Sequence, residues 1–161
     1  FDMEEILELK QSLLSGNIDE ALCIVEELEE VGRKSIIENI ESFLVVLLIH
    51  LIKNQVEQRL TSSWKKSILN SLVAIQKKNK LGKKAHYIYQ DEWFEYIESN
   101  YPSALLNSSY EILGGIDYQE LKMLVDREKL FNITTSLINL TYIKNQDELI
   151  LLVSKELEKL I

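Results

Sequence analysis

The 161-residue chain is poor in the residues that form disulfides and turns. It has one cysteine, Cys23, and can therefore form no internal disulfide. Five glycines and a single proline, Pro102, are too few for a protein built from many short strands. Leu, Ile, Glu and Lys are abundant instead, and this composition favours helices.

Histidine is also scarce, since His50 and His86 are the only two. Neither has a histidine or carboxylate at the H-x-x-x-H, E-x-x-H or H-E-x-x-H spacing that builds metal and acid-base sites on helices. The chain also lacks a glycine-rich phosphate loop and the arginine-histidine spacing of small helical RNases. These absences predict no catalytic residue, no metal site and no cofactor.

The ends and the apolar runs indicate where the protein resides. The first ten residues, FDMEEILELK, are acidic and lack the basic start and apolar stretch of a secretory leader. The longest apolar run, residues 43–52, is half the length of about 20 residues that a spanning helix requires. Cys23 lies among apolar neighbours, which predicts a small buried side chain. We expect a cytoplasmic protein with no membrane contact.

Helix boundaries are indicated by capping boxes, in which a polar side chain is followed three residues later by a carboxylate. Four pairs match: Asn17 with Glu20, Ser35 with Glu38, Asp117 with Glu120, and Asn145 with Glu148. Gly16, Gly32 and the pair Gly114-Gly115 precede three of these starts, where a glycine can end the previous helix. Each pair is predicted to begin a helix.

Apolar spacing predicts an all-α helical bundle with a long central antiparallel helix pair. The first member runs from about Ser35 to Arg59 and is apolar on all sides at its middle, so neighbours must cover it. The second is capped by Thr61 or Ser62 and carries a stripe starting at Trp64. An acidic amino-terminal helix and several shorter carboxyl-terminal helices complete the bundle.

The chain is predicted to be one helical domain, residues 1–161. Its core covers about residues 1–80, an exposed connector follows at about 79–90, and a smaller helical part covers 91–161. Within that last part, Pro102 is predicted to begin a helix, because proline is favoured in a first turn.

Several motifs carry a resemblance to a known family. They are the acidic helix that precedes Gly32, the aliphatic run ending in LIHLIK, and R-x-T-x-S-W, formed by Arg59, Thr61, Ser63 and Trp64. Over roughly residues 5–126 the chain resembles a bacterial family, abundant in cyanobacteria, that is catalogued as domain of unknown function twenty-nine. The resemblance implies an all-helical fold and transfers no catalytic residue.

Charge is distributed unevenly along the chain. Residues 1–52 have a net charge of −9, residues 53–86 of +8, and residues 87–161 of −7. The basic segment and the aromatic residues after it form a possible contact surface: Lys65, Lys66, Lys77, Lys78, Lys80, Lys83, Lys84, His86, Tyr87 and Tyr89. It either pairs with carboxylates of this chain or a partner, or binds RNA phosphates.

His50 admits two interpretations. The favoured one is a buried structural histidine, hydrogen-bonded to a hydroxyl of the TSSW turn or to an acid of the first helix. The alternative is a hydrolase or nuclease site that uses His50 with Lys53 and Glu57.

The leading functional hypothesis is a small non-enzymatic module that binds an unknown protein partner or itself. It would use the acidic face or an apolar stripe near the carboxyl end, formed by Leu149, Leu152, Val153, Leu157 and Leu160. Nucleic-acid binding through residues 65–89 is the alternative from another class, and the net charge of −8 opposes it.

Overall fold

The computed structural model describes residues 3–143 and 145–160, except for the side chain of Leu113. These residues form seven α-helices, one β-hairpin and two short 3₁₀ helices, which confirms the predicted all-helical class. The helices are α1 (Met3–Leu14), α2 (Ile18–Glu57), α3 (Ser62–Lys78), α4 (Trp93–Glu111), α5 (Tyr118–Leu124), α6 (Arg127–Ile143) and α7 (Gln146–Glu158). The 3₁₀ helices cover Gln90–Glu92 and Ile112–Gly114.

Three of the four predicted capping pairs begin helices. The Asn17 side-chain oxygen accepts a hydrogen bond from the Glu20 amide at 3.2 Å. Asn145 caps α7 by accepting from the third following amide at 2.8 Å. The Asp117 carboxylate caps α5 by accepting from two amides at 3.1 and 3.3 Å. Short polar side chains at these positions satisfy amides that have no partner within the helix.

Two predicted boundaries are wrong. No helix ends at Gly32 or begins at Ser35, because α2 continues through both from Ile18 to Glu57. A glycine inside a helix costs only about 1 kcal/mol, which the strong helix formers on either side, such as Leu28, Glu30 and Lys34, can offset. Pro102 lies inside α4 and does not begin a helix. Pro102 itself is exposed while neighbouring Tyr101 is buried, which keeps the helix packed despite the missing amide.

The contacts divide the chain into two compact units, residues 1–38 and residues 39–161. Because α2 belongs to both units, the predicted single-domain organisation stays a prediction. In the first unit, α1 and α2 are joined by a turn in which Gly16 has a φ of 76° and the Asn17 amide donates to the Ser12 carbonyl at 2.9 Å.

The second unit contains the apolar core. Its helices α3, α6 and α7 contact one another, and α4 contacts α5 and α6. The predicted stripe of α3 is buried, with Trp64 8% and Ile68 0% exposed. The antiparallel arrangement of the central pair stays a prediction.

The middle of α2 is long and apolar enough to cross a bilayer by length and composition, with a mean hydropathy of 1.9 over 18 residues. A core helix of a soluble protein passes the same test. Leu44, Leu47, Leu48 and Ile52 are buried within the second unit. Only 33% of the 18-residue window is buried, however, and Val46 is 37% exposed, so neighbours cover this part of α2 on some sides and not on every side as predicted.

The predicted connector contains the β-hairpin, in which β1 (Lys80–Leu81) pairs antiparallel with β2 (Ala85–His86). Gly82 has a φ of 71° in the intervening turn, and an added Cβ would meet no atom within 4 Å. Glycine is therefore required there by backbone conformation and not by crowding. The connector is only partly exposed, because Asn79 and Ile88 are buried.

Candidate functional site

His50 is half-buried near the carboxyl end of α2. Its Nδ1 atom is buried and has no hydrogen-bond partner among the described residues, so the expected hydrogen bond is absent from this nitrogen. Burial lowers the pKa of His50, the nearby Lys53 ammonium lowers it further, and Glu111 opposes both. The imidazole is therefore neutral at pH 7.

The indole of Trp64 is the centre of a small cationic cluster. The Lys53 ammonium lies 4.6 Å from the centroid of the indole ring, and the Arg59 guanidinium carbon lies 4.9 Å from it. The His50 and Trp64 ring centroids are 6.5 Å apart. Thr61 accepts a hydrogen bond from the Trp64 amide at 3.1 Å and thereby caps α3. The R-x-T-x-S-W motif thus holds the turn between α2 and α3 by cation–π contact and capping.

The predicted polar site of His50, Lys53 and Glu57 is only partly assembled. Lys53 approaches Glu111, with 3.9 Å between ammonium nitrogen and carboxylate oxygen, while Glu57 pairs with Arg59 at 3.1 Å. The cavities described below are lined by other residues. No group of three or more metal-ligating side chains occurs among residues 3–143 and 145–160. A hydrolase or nuclease role for His50 stays a prediction that this geometry does not favour.

The basic segment is divided into separate groups. Lys65 and Lys66 lie in the first turn of α3, and Lys77 and Lys78 lie in its last turn. At 1.5 Å per residue, the two groups are about 18 Å apart along the helix. The β-hairpin adds a third group, Lys80, Lys83 and Lys84, all exposed. Two of the three predicted aromatic residues lie near one another, because the rings of His86 and Tyr89 are 6.2 Å apart, and the third, Tyr87, is half-buried.

Asn79 attaches the β-hairpin to the core. Its side chain is buried, accepts from the Ile88 amide at 2.7 Å and donates to the Ile88 carbonyl at 2.9 Å. Its own carbonyl accepts from the Tyr87 amide at 3.0 Å. The buried side-chain amide of Asn79 therefore satisfies both backbone groups of Ile88 and fixes the base of the β-hairpin.

Tyr142 of α6 extends this network. Its hydroxyl donates to the Ile88 carbonyl at 2.6 Å. The same hydroxyl accepts from the side-chain amide of Asn79 at 3.0 Å and from the Trp93 indole. Burial raises the pKa of Tyr142, and the hydrogen bonds from Trp93 and Asn79 oppose that shift. The His86 ring contacts the Tyr142 ring edge to face, with centroids 4.8 Å apart. Four chain segments thus meet at one hydroxyl.

A concave region lies beside this network. We call it the basic cavity, and its volume is about 460 Å³. It is formed by the end of α3, the β-hairpin and the end of α6, and no carboxylate lines it. Lys80, Lys83 and His86 of the predicted contact surface contribute to its wall, whereas Lys65 and Lys66 line a different concavity at the start of α3.

The predicted carboxyl-terminal stripe is not available to a partner. Leu149, Val153 and Leu157 are buried, and Leu152 and Leu160 are partly covered. Helix α7 carries them against α3 and α6. Self-association through this stripe stays a prediction that the structure does not favour, because Leu149, Val153 and Leu157 already lie in the core of the second unit.

Unlike the stripe of α7, most large apolar side chains of the first unit are exposed. We call α1 with residues 18–38 of α2 the amino-terminal helix pair. Eight of its large apolar side chains are exposed: Met3, Ile6, Leu7, Leu13, Leu14, Ile18, Leu22 and Val31. Cys23 is also exposed, so the prediction of a buried thiol is wrong. Ala21, and not Cys23, lies on the covered side of α2.

Sequence reasoning missed Asn79 and Tyr142. An asparagine directly after the last helical lysines of α3 is a signal for a helix end, and it could have directed attention to Asn79. No local signal marks Tyr142, because its partners are 49 to 63 residues away in the chain.

The family described as domain of unknown function DUF29 matches residues 4–112, and the chain belongs to it. The match covers α1 to α4 and the β-hairpin and leaves α5 to α7 outside. No curated protein and no solved structure matches the chain. A bacterial source stays a prediction.

Proposed function

We propose that this member of the DUF29 family is a protein-interaction module that binds a partner on its amino-terminal helix pair. The observation that carries the proposal is the exposure of eight large apolar side chains in residues 3–38, where Ala21 is the single buried apolar residue described. A concentration of exposed large apolar side chains is typical of interaction sites. A cytoplasmic location belongs to the same proposal, because the exposed thiol of Cys23 stays reduced there.

The chemistry of the surface indicates a basic amphipathic helix as the partner. Ile6 of α1 and Val25 and Leu28 of α2 line an apolar concavity of about 310 Å³, with Glu29 at its edge. Residues 3–38 contain ten carboxylates and three cationic side chains. A helix with one apolar face and flanking lysines or arginines would complement both features.

A second copy of the chain fits this surface less well. Two amino-terminal helix pairs would bring together regions that each have a net charge of −7 over residues 3–38. Like charges across an interface oppose association. The same charge opposes binding to an anionic bilayer surface.

The test uses a synthetic peptide of about 18 residues, five helical turns, with leucines on one face and lysines on the other. We expect saturable binding to the full chain by fluorescence anisotropy, and weaker binding of a scrambled peptide with the same composition. Ile6→Ser with Leu22→Ser should weaken binding at least ten-fold. Leu151→Ser is the matched control, because Leu151 is 70% exposed but lies on α7.

Two outcomes would contradict the proposal. Equal binding of the two peptides, or equal weakening by the control, would show that charge alone attracts the peptide. A dimer of the free chain in light scattering, lost in the Ile6→Ser, Leu22→Ser variant, would assign the surface to a second copy.

A further inference from the structure

The basic cavity contains positive charge that the fold does not use. Lys77 and Lys78 lie in the last turn of α3, where cations stabilise the negative end of the helix dipole. The Lys78 ammonium also lies 5.7 Å from the Phe43 ring centroid. Lys80 and Lys83 lie beyond the last turn of α3, both are exposed, and neither forms an ion pair with a carboxylate of residues 39–143 or 145–160.

Hydrogen bonds and ring contacts of the β-hairpin fix the backbone that forms the cavity wall. Lys80 pairs with His86 across the β-hairpin, and Asn79 anchors the strand base through its bonds to Ile88. The His86 ring is further held against Tyr142. The cationic side chains therefore extend from a backbone whose position is fixed, and a ligand would not have to order this segment on binding.

The size and chemistry of the cavity suit a small anion-bearing molecule. Its volume of about 460 Å³ lies in the range of small-molecule sites, about 300–1,000 Å³. Its wall combines two ammonium groups and one imidazole, with no carboxylate to compete for the cations. The hydroxyls of Thr141 and Tyr142 also line it, but they already donate to the carbonyls of Ile138 and Ile88. Ammonium groups are common partners of phosphate oxygens.

We propose that the basic cavity binds the phosphate group of a phosphorylated small molecule, with Lys80 and Lys83 supplying the charge. RNA is less well matched, because Lys65 and Lys66 lie about 18 Å along α3 from its last turn and line a different concavity. The proposal does not depend on the docking function of the amino-terminal helix pair.

The test is titration of the full chain with pyrophosphate and with ADP, followed by calorimetry and by amide NMR shifts. We expect saturable one-to-one binding, with shifts concentrated at Gly82, Lys83 and Tyr142. Lys80→Gln with Lys83→Gln should weaken binding at least ten-fold. Lys65→Gln with Lys66→Gln removes the same charge at the other end of α3 and should change affinity less than two-fold.

The proposal is overturned if neither probe binds saturably up to millimolar concentration, or if both double variants weaken binding equally. It is also overturned if a 12-nucleotide single-stranded RNA binds more tightly than ADP and both double variants weaken it equally. That result would assign the whole basic segment to nucleic acid. Unchanged melting temperatures would show that the exposed lysines do not support the fold.

Discussion

The two units of the chain treat their apolar residues in opposite ways. Among its described residues the second unit buries twenty-six apolar side chains, whereas in residues 3–38 only Ala21 is buried to that degree. Both regions are helical and rich in leucine and isoleucine. Helix formation and composition therefore do not distinguish a self-sufficient core from a surface that lacks its covering partner.

The difference comes from how many elements cover each apolar stripe. In the second unit, α7 packs on both α3 and α6, so Leu149 and Leu157 are enclosed. The first unit has only two helices, and two helices can cover only the sides that face each other. A stripe on an unaccompanied helix pair remains in water unless another molecule supplies the third element.

The largest expected effect concerns the core of the second unit. Leu48 is 0% exposed, and Leu48→Ala should lower the free energy of unfolding by about 2–5 kcal/mol, because it leaves a cavity. Leu22→Ala is the matched change in the first unit, where the side chain is 53% exposed, and should cost less than about 0.5 kcal/mol. Urea unfolding followed by circular dichroism measures both. Equal costs would remove the contrast between the units.

A smaller effect is expected where polar groups secure the second unit. Asn79→Ala removes the partner of the buried Ile88 amide and one of the two donors to the Ile88 carbonyl, which keeps Tyr142, and should cost about 1–3 kcal/mol. Asn70→Ala changes the same residue type on the exposed face of α3 and should be nearly neutral. Hydrogen exchange should accelerate at Tyr87 and Ile88 in the first variant alone. Unchanged exchange there would show that the β-hairpin is held by other contacts.

The sequence predicted what depends on local chemistry. Caps at Asn17 and Asn145 and the α3 stripe beginning at Trp64 follow from side chains acting within one or two turns. The boundary at Gly32 was wrong because one glycine is a weak helix breaker and strong helix formers lie on either side of it. The role of Tyr142 could not be predicted, since its hydroxyl acts on residues distant in the chain.

The same limit applies to the exposed surface. Hydrophobic spacing predicted the apolar stripe of α7, but spacing does not state whether a stripe finds a neighbour. Leu157 is covered and Leu22 is not, although both are leucines on helices. Which apolar face remains for a partner is decided by topology.

The smallest expected effect is a pH dependence that arises in the second unit. Burial holds the pKa of His50 below its ordinary value of 6.5, so the folded chain binds fewer protons here than the unfolded chain in acid. The contribution of His50 to the free energy of unfolding is therefore complete above pH 6.5, and it is lost as the pH falls from 6.5 through the lowered pKa of the folded chain. His50→Gln should remove this part of the acid destabilisation, measured by urea unfolding between pH 7 and 5.

Glu111 provides a sharper form of the same test. Its carboxylate raises the pKa of His50 against the effects of burial and Lys53, so Glu111→Gln should move the imidazole titration to still lower pH. An NMR titration of the His50 ring protons reports this directly, with His50→Gln identifying the resonance. Titration at or above 6.5 in the unmodified chain would mean that the imidazole is hydrated, and the partner-free Nδ1 would then not be a buried group of the core.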